Sequence, residues 1–270
     1  MKTTAFLRAE ASAKLFVFGA TIGPIVDSFH NQCLLRYDVA PITIPWPDFM
    51  PHMGDVFEQE YMFCGSWTVP LLLGFAYVVL GDILPRVFTL PISASMPQST
   101  EPSTVPYKHS GLLQKKAIAA VLTTCLIIKL SQYLELHEPL EPIASFLPFI
   151  NSSAEANYDL LMIFAFIQWA LLDGTVPAFL AAVVTSVGGP LSELPFVAKG
   201  VWEYLPQAAD YFPLAEVNDS LGVLKFVLGE SYQDLALSSI TGPCYFAVTM
   251  DAIALGRWFQ QSTVDEQYAP

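Results

Sequence analysis

Charge is what this 270-residue chain has least of: 14% of its residues are Asp, Glu, Lys or Arg, against 53% hydrophobic. Soluble domains carry about 25% charged residues, and a surface of this size needs them for hydration. The deficit excludes an ordinary soluble domain and points to a multi-pass membrane protein. Basic residues are scarcer still, with 12 Lys and Arg against 25 Asp and Glu and a net charge of −13. Polyanions select Lys/Arg clusters, so nucleic acid is excluded as a partner. Cysteine is limited to Cys33, Cys64, Cys125 and Cys244. These form neither a CxxC pair nor a zinc-ribbon spacing, so no metal site is expected. Cys33 and Cys64 flank one loop and would be able to pair in an oxidising compartment. Catalytic signatures are missing too: the chain has no Gly-rich phosphate loop, GxSxG elbow, HExxH or Cys/His dyad. No catalytic residue and no enzymatic activity are expected.

What the chain does have is long apolar runs. A bilayer core of about 30 Å takes about 20 apolar residues per helix, and six segments qualify once shorter, covered helices are admitted. They lie at about 13–34, 67–90, 111–134, 158–172, 176–187 and 239–259, and predict an all-α, six-span bundle forming a single domain. Basic residues sort by side. Lys2, Arg8, Lys14, Arg86, Lys108, Lys115, Lys116 and Arg257 fall at the N-terminus, in the second connection and at the exit of the last span. The remaining loops are acidic. By the positive-inside rule both termini face the cytoplasm or its equivalent, which requires an even number of spans. The Pro/Ser/Thr-rich stretch 91–110 reads as a flexible linker. The segment 188–238, with its amphipathic VLKFVLGESYQDLAL, reads as a long loop lying along the opposite interface.

Several residues inside these spans call for an account. The second span, SWTVPLLLGFAYVVLGDILP, carries Asp82, which Arg86 can neutralise one turn later. Pro70 falls in the first turn, where a missing N–H is tolerated. Gly19, Gly23, Gly74, Gly81 and Gly256 allow close helix approach, or equally the entry of a flat lipid or sterol ring. Asp173 sits in the Asp-Gly-Thr turn between the fourth and fifth spans, a helix-capping position. Asp251 lies mid-span, where a carboxylate is costly unless paired, protonated or solvated. Asp27 and His30 are spaced i, i+3 and face the same way, most simply as a hydrogen-bonded pair. The loop PHMGDVFEQE has no calcium-ligand spacing and reads as a solvated acidic loop.

Taken in order, these motifs resemble the Insig (insulin-induced gene) family of sterol-regulatory membrane proteins. Trp67, Val69, Pro70, Gly81 and Pro85 match the family's second helix, and WALLDGT matches its hairpin turn through Trp169 and Asp173. FVAKGVWEYLPQAADYF is similar to the loop after its fifth span through Gly200, Val201, Tyr204 and Asp210. The last span opens with Pro243-Cys244 and closes with Gly256-Arg257, as the family's does. The chain departs by an insertion at about 215–239, by Asp251 at a small apolar position, and by a tail without basic character.

The resemblance implies an Insig-like adaptor in the endoplasmic reticulum that binds a sterol or other lipid, has no cofactor, and retains a partner membrane protein. Trp67, Pro70, Gly74, Gly81, Pro243 and Gly256 are then the lipid-binding or helix-packing residues, and Asp173 and Asp251 the partner-binding ones. The departures leave a second reading, a constitutive subunit of a respiratory or photosynthetic complex in the mitochondrial inner membrane or the thylakoid.

Overall fold

The structure, a computed structural model, describes residues 4–50, 52–95, 110–137 and 153–268. Its helices are α1 (Thr4–Leu34), α2 (Met53–Phe57), α3 (Val69–Val78), α4 (Leu84–Ser95), α5 (Ser110–Leu136), α6 (Ser153–Leu172), α7 (Val176–Ala198), α8 (Val223–Leu228) and α9 (Thr241–Tyr268). A π-helical turn, Val79–Ile83, joins α3 to α4 without a break. The strands are β1 (Leu35–Tyr37), β2 (Pro41–Pro45), β3 (Tyr61–Ser66) and β4 (Trp202–Tyr204). β1 pairs antiparallel with β4, and β2 with β3. The all-α expectation describes the bundle but misses these two ribbons, which sit at the end of the bundle where α1 and α7 stop and α3 starts.

Among the described residues four helical segments are long and apolar enough to cross a bilayer: Phe6–Leu34, Val69–Thr89, Gly111–Leu136 and Val176–Ala198. The chain is therefore an integral membrane protein. Two further helices, α6 and α9, have the length but not that apolarity. For α9 the reason is its position. It packs against α1, α5, α6 and α7, and Phe246, Ala247, Met250, Ala252, Ile253 and Leu255 on it are all buried. A helix wrapped by other helices can carry polar side chains, because protein rather than lipid meets them.

The boundaries differ from the sequence expectation most at α1, α7 and α9, the last running to Tyr268 past the expected end at 259. Helix α1 starts at Thr4, ahead of the expected 13. Helix α7 runs to Ala198, past the expected end at 187 and through Pro190 and Pro195. Gly188-Gly189-Pro190 reads as a stop because an internal proline removes a hydrogen bond to the carbonyl one turn back. Here Gly189 is needed for packing instead: a Cβ on it would meet the Tyr245 ring at 2.4 Å. The segment 188–238 is thus helix first, then β4, α8 and a 3₁₀ turn at Tyr232–Asp234. Of the expected linker 91–110, the first residues continue α4 to Ser95, and 96–109 lie outside the described residues.

Small residues set the closest helix crossing. A Cβ on Gly81 would lie 2.3 Å from the Ala252 carbonyl oxygen, and one on Gly256 would lie 2.2 Å from the Gly81 carbonyl oxygen. The π-helical turn and α9 therefore touch backbone to backbone, as small-residue membrane crossings do. Gly19 and Gly74 make a second close contact, between α1 and α3, against Leu73, Tyr77 and Phe16.

Candidate functional site

A cavity of about 230 Å³ opens among the last turns of α1 and α7, the first turns of α3 and α9, and the β1–β4 ribbon. Its walls are apolar, with Leu34, Leu72, Leu73, Ala76, Ile128 and Val248. Polar groups converge on it from α1, β1, α7, β4 and α9. From α1, Asp27 Oδ2 accepts a hydrogen bond from Asn31 Nδ2 at 2.5 Å, and the same amide donates to the Tyr37 hydroxyl at 2.6 Å. His30 is buried, with Nε2 at 3.6 Å from Asp27 Oδ1 and Nδ1 at 2.9 Å from the Ser131 hydroxyl. From α7, Glu193 accepts from the Tyr204 hydroxyl at 2.6 Å and from the Tyr245 hydroxyl at 2.8 Å. The Trp202 indole N–H lies beside the same carboxylate without closing a hydrogen bond. Burial, and then the Glu193 carboxylate, push the Tyr204 phenol well above its ordinary range, which keeps it a donor. Burial does the same to Tyr37.

The opposite end of the bundle holds α9 in place through two carboxylates. Asp82 forms the expected ion pair with Arg86, accepts from the Ser12 hydroxyl at 2.9 Å, and accepts from Gln260 Nε2 at 2.9 Å. Asp173 accepts from the Thr175 backbone N–H at 2.9 Å, from the Thr175 hydroxyl, and from Arg257. The turn between α6 and α7 is in this way tied to the second half of α9. Asp251 stands between these ends. It is 1% exposed, Oδ2 accepts from the Tyr77 hydroxyl at 3.3 Å, and Oδ1 has no hydrogen-bond partner among the described residues.

The residues singled out in the sequence divide by location. Gly74, Gly81 and Gly256 are at helix crossings, and Pro70 is in the first turn of α3. Pro243 is buried in the first turn of α9. Trp67 is 71% exposed, with its backbone N–H donating to the Ala40 carbonyl at 3.1 Å. None of these six lines the cavity. Asp27 and His30 do line it, in the paired arrangement expected from their spacing. Glu193, Tyr204, Tyr245 and Trp202 escaped attention as site residues, since nothing in the letters shows that Tyr245 lies beside Glu193, 52 positions away. Only the position of Glu193 inside an apolar run gave a signal. Cys33 and Cys64 are free thiols, and Cys33 Sγ donates to the His30 carbonyl at 3.0 Å.

This helical membrane bundle, with its glycine-packed second span, two β ribbons and a cavity at one end, has an Insig-like fold by its likeness to solved structures. Two solved structures are similar to it over nearly their whole length. One is the mycobacterial Insig homolog MvINS from Mycobacterium vanbaalenii, at 16% identity and a TM-score of 0.53, covering 96% of this chain and 97% of that one. The other is a cross-linked trimer of a cysteine variant of MvINS, at 17% identity and a TM-score of 0.54 with the same coverage. Neither a family model nor a curated protein matches the sequence.

Proposed function

We propose that the protein is a non-enzymatic, Insig-like membrane adaptor with six spans and both termini on the cytoplasmic-equivalent side. It binds a sterol or other lipid in the end cavity and holds a partner membrane protein in the plane of the bilayer. The observation that carries this reading is the cavity itself: apolar walls, a polar floor, and a place at the level where helices stop and lipid head groups begin. Its volume is at or below the low end of ligand pockets, which run from about 300 Å³, so it takes one end of a lipid rather than a whole one.

The mechanism is linkage. The cavity is walled by α1, α3, α7 and α9, so a lipid there favours one arrangement of these helices. A partner preferring that arrangement then binds more tightly, and reciprocally tightens the lipid. Asp173, with a 5% exposed side chain, serves the partner through the shape of the α6–α7 turn, and Asp251 serves it by tying α9 to α3 through Tyr77. Photoaffinity labelling with a sterol or lipid probe tests the ligand claim. Labels should fall on the ends of α1, α3, α7 and α9 and fade with competing lipid; labelling that competitor cannot reduce would sink it.

A second reading, a constitutive subunit of a larger membrane complex, draws on the segment before α9. Leu221 and Phe226 there are 86% and 89% exposed, apolar side chains that a neighbouring subunit would cover. Co-migration with a large assembly on a native gel supports this reading, and migration as a small species argues against it.

A further inference from the structure

The floor of the end cavity has an unbalanced charge. Two carboxylates, Asp27 and Glu193, line it together with one imidazole, His30, and neither Lys nor Arg is among its lining residues. If His30 serves Asp27, at 3.6 Å, Glu193 still meets, among the described residues, neutral donors and no cation: the hydroxyls of Tyr204 and Tyr245 at 2.6 and 2.8 Å and the indole of Trp202 beside it. An ionised carboxylate at the end of a membrane helix is costly without a cation. Five aromatic rings, of Tyr37, Phe196, Trp202, Tyr204 and Tyr245, line the same space. Phe196 and Trp202 stack at 4.9 Å, and Tyr37 meets Trp202 edge-on at 6.3 Å, so the aromatic wall is fixed before anything binds. Carboxylates among rigid aromatic rings are the arrangement that recognises an ammonium group, through charge and through the negative faces of the rings.

From this geometry we infer that the cavity selects a lipid with a cationic amine head, the ammonium lying between Glu193 and Asp27 against the aromatic wall and the acyl chain running along Leu72, Leu73 and Ile128. This rests on the lipid-binding reading and narrows it. The depth agrees: Asp27 is within two turns of the end of α1 at Leu34, and Glu193 within two turns of the end of α7 at Ala198. An amine placed there sits at head-group level while its chain stays in hydrocarbon. The charge of the site rejects anionic heads, and a neutral sterol hydroxyl leaves Glu193 without a counter-charge.

The full chain, purified in mild detergent, is titrated with sphingosine, ceramide, cholesterol and free ethanolamine, with thermal melting and tryptophan fluorescence as readouts. Sphingosine and ceramide share their hydroxyls, and with ceramide in its short N-acetyl form the main difference between them is the charge on nitrogen. Sphingosine should raise the melting temperature saturably and ceramide should bind roughly tenfold more weakly. Glu193→Gln and Asp27→Asn should each weaken sphingosine by roughly tenfold and ceramide by much less, narrowing the gap between the two lipids, which a general loss of folding would not do. Saturation by ethanolamine at the same concentration overturns the assignment to a lipid, and dependence on the hydrocarbon chain supports it. Equal binding of ceramide or cholesterol, or carboxamide variants that keep the preference for sphingosine, overturns the inference and leaves lipid binding standing. Binding of none of the lipids overturns both.

Discussion

Asp173 divides its carboxylate between two tasks: one oxygen closes the turn onto Thr175 and the other pairs with Arg257 on α9. Asp173→Asn keeps an acceptor for the turn and loses the charge, whereas Asp173→Ala loses both. Melting temperatures should fall in the order wild type, Asn, Ala, with the alanine costing about 1–3 kcal/mol; an Asn variant as unstable as Ala would show that the ion pair matters and the turn does not. Arg257 is partly exposed, which keeps the ionic share toward the low end. Asp251 presents the opposite case, a buried carboxyl with one long hydrogen bond on Oδ2 and no hydrogen-bond partner for Oδ1 among the described residues. Asp251→Asn retains an acceptor for Tyr77 and removes the capacity for charge, so it should hold or raise the melting temperature in detergent. A marked loss of stability would mean that the carboxylate meets a donor the side chains around it do not provide.

At the scale of helices, two glycines decide how closely the second span meets α9. Gly81→Ala or Gly256→Ala forces a methyl into a carbonyl oxygen, and each should destabilise by about 1–3 kcal/mol or more. Gly188→Ala is the control. It faces open space within α7 and should gain about 0.5–1 kcal/mol from helix propensity; equal loss at all three positions would rule out the close crossing. Local relations of this kind were legible in the letters, namely Asp82 with Arg86 at i, i+4 and Asp27 with His30 at i, i+3, and so were the glycines as contact points. Relations closed only by tertiary packing were not. Asp173 and Arg257 are 84 positions apart, and Leu35 meets Tyr204 only because α1 and α7 end at the same level. The length of α7 was missed because Gly-Gly-Pro is a stop signal by propensity, and tertiary contact with Tyr245 outweighs it. The central place of α9 was hidden for a related reason: a helix enclosed by protein may read as polar as its neighbours permit.

For the molecule as a whole, the arrangement of ends is the quantity to measure. Epitope tags at the two termini should both be protected from added protease in sealed cytoplasmic-side-in vesicles, while a tag inserted at Gly222, in the exposed segment before α8, should be cleaved. Termini on opposite faces would require an odd number of spans and would sink the six-span reading. The wide turn at Val79–Ile83 bears on how this chain compares with relatives of other lengths. A π turn holds one residue more than the α-helix needs to keep its flanks in phase. Removing Val79, which is exposed, would let α3 and α4 join as plain α-helix with Gly81 still toward α9; removing Phe75 would instead rotate everything after it by about 100°. The second span is a sentence with one silent letter: losing a residue at the turn leaves both flanks facing their partners, and losing one elsewhere does not.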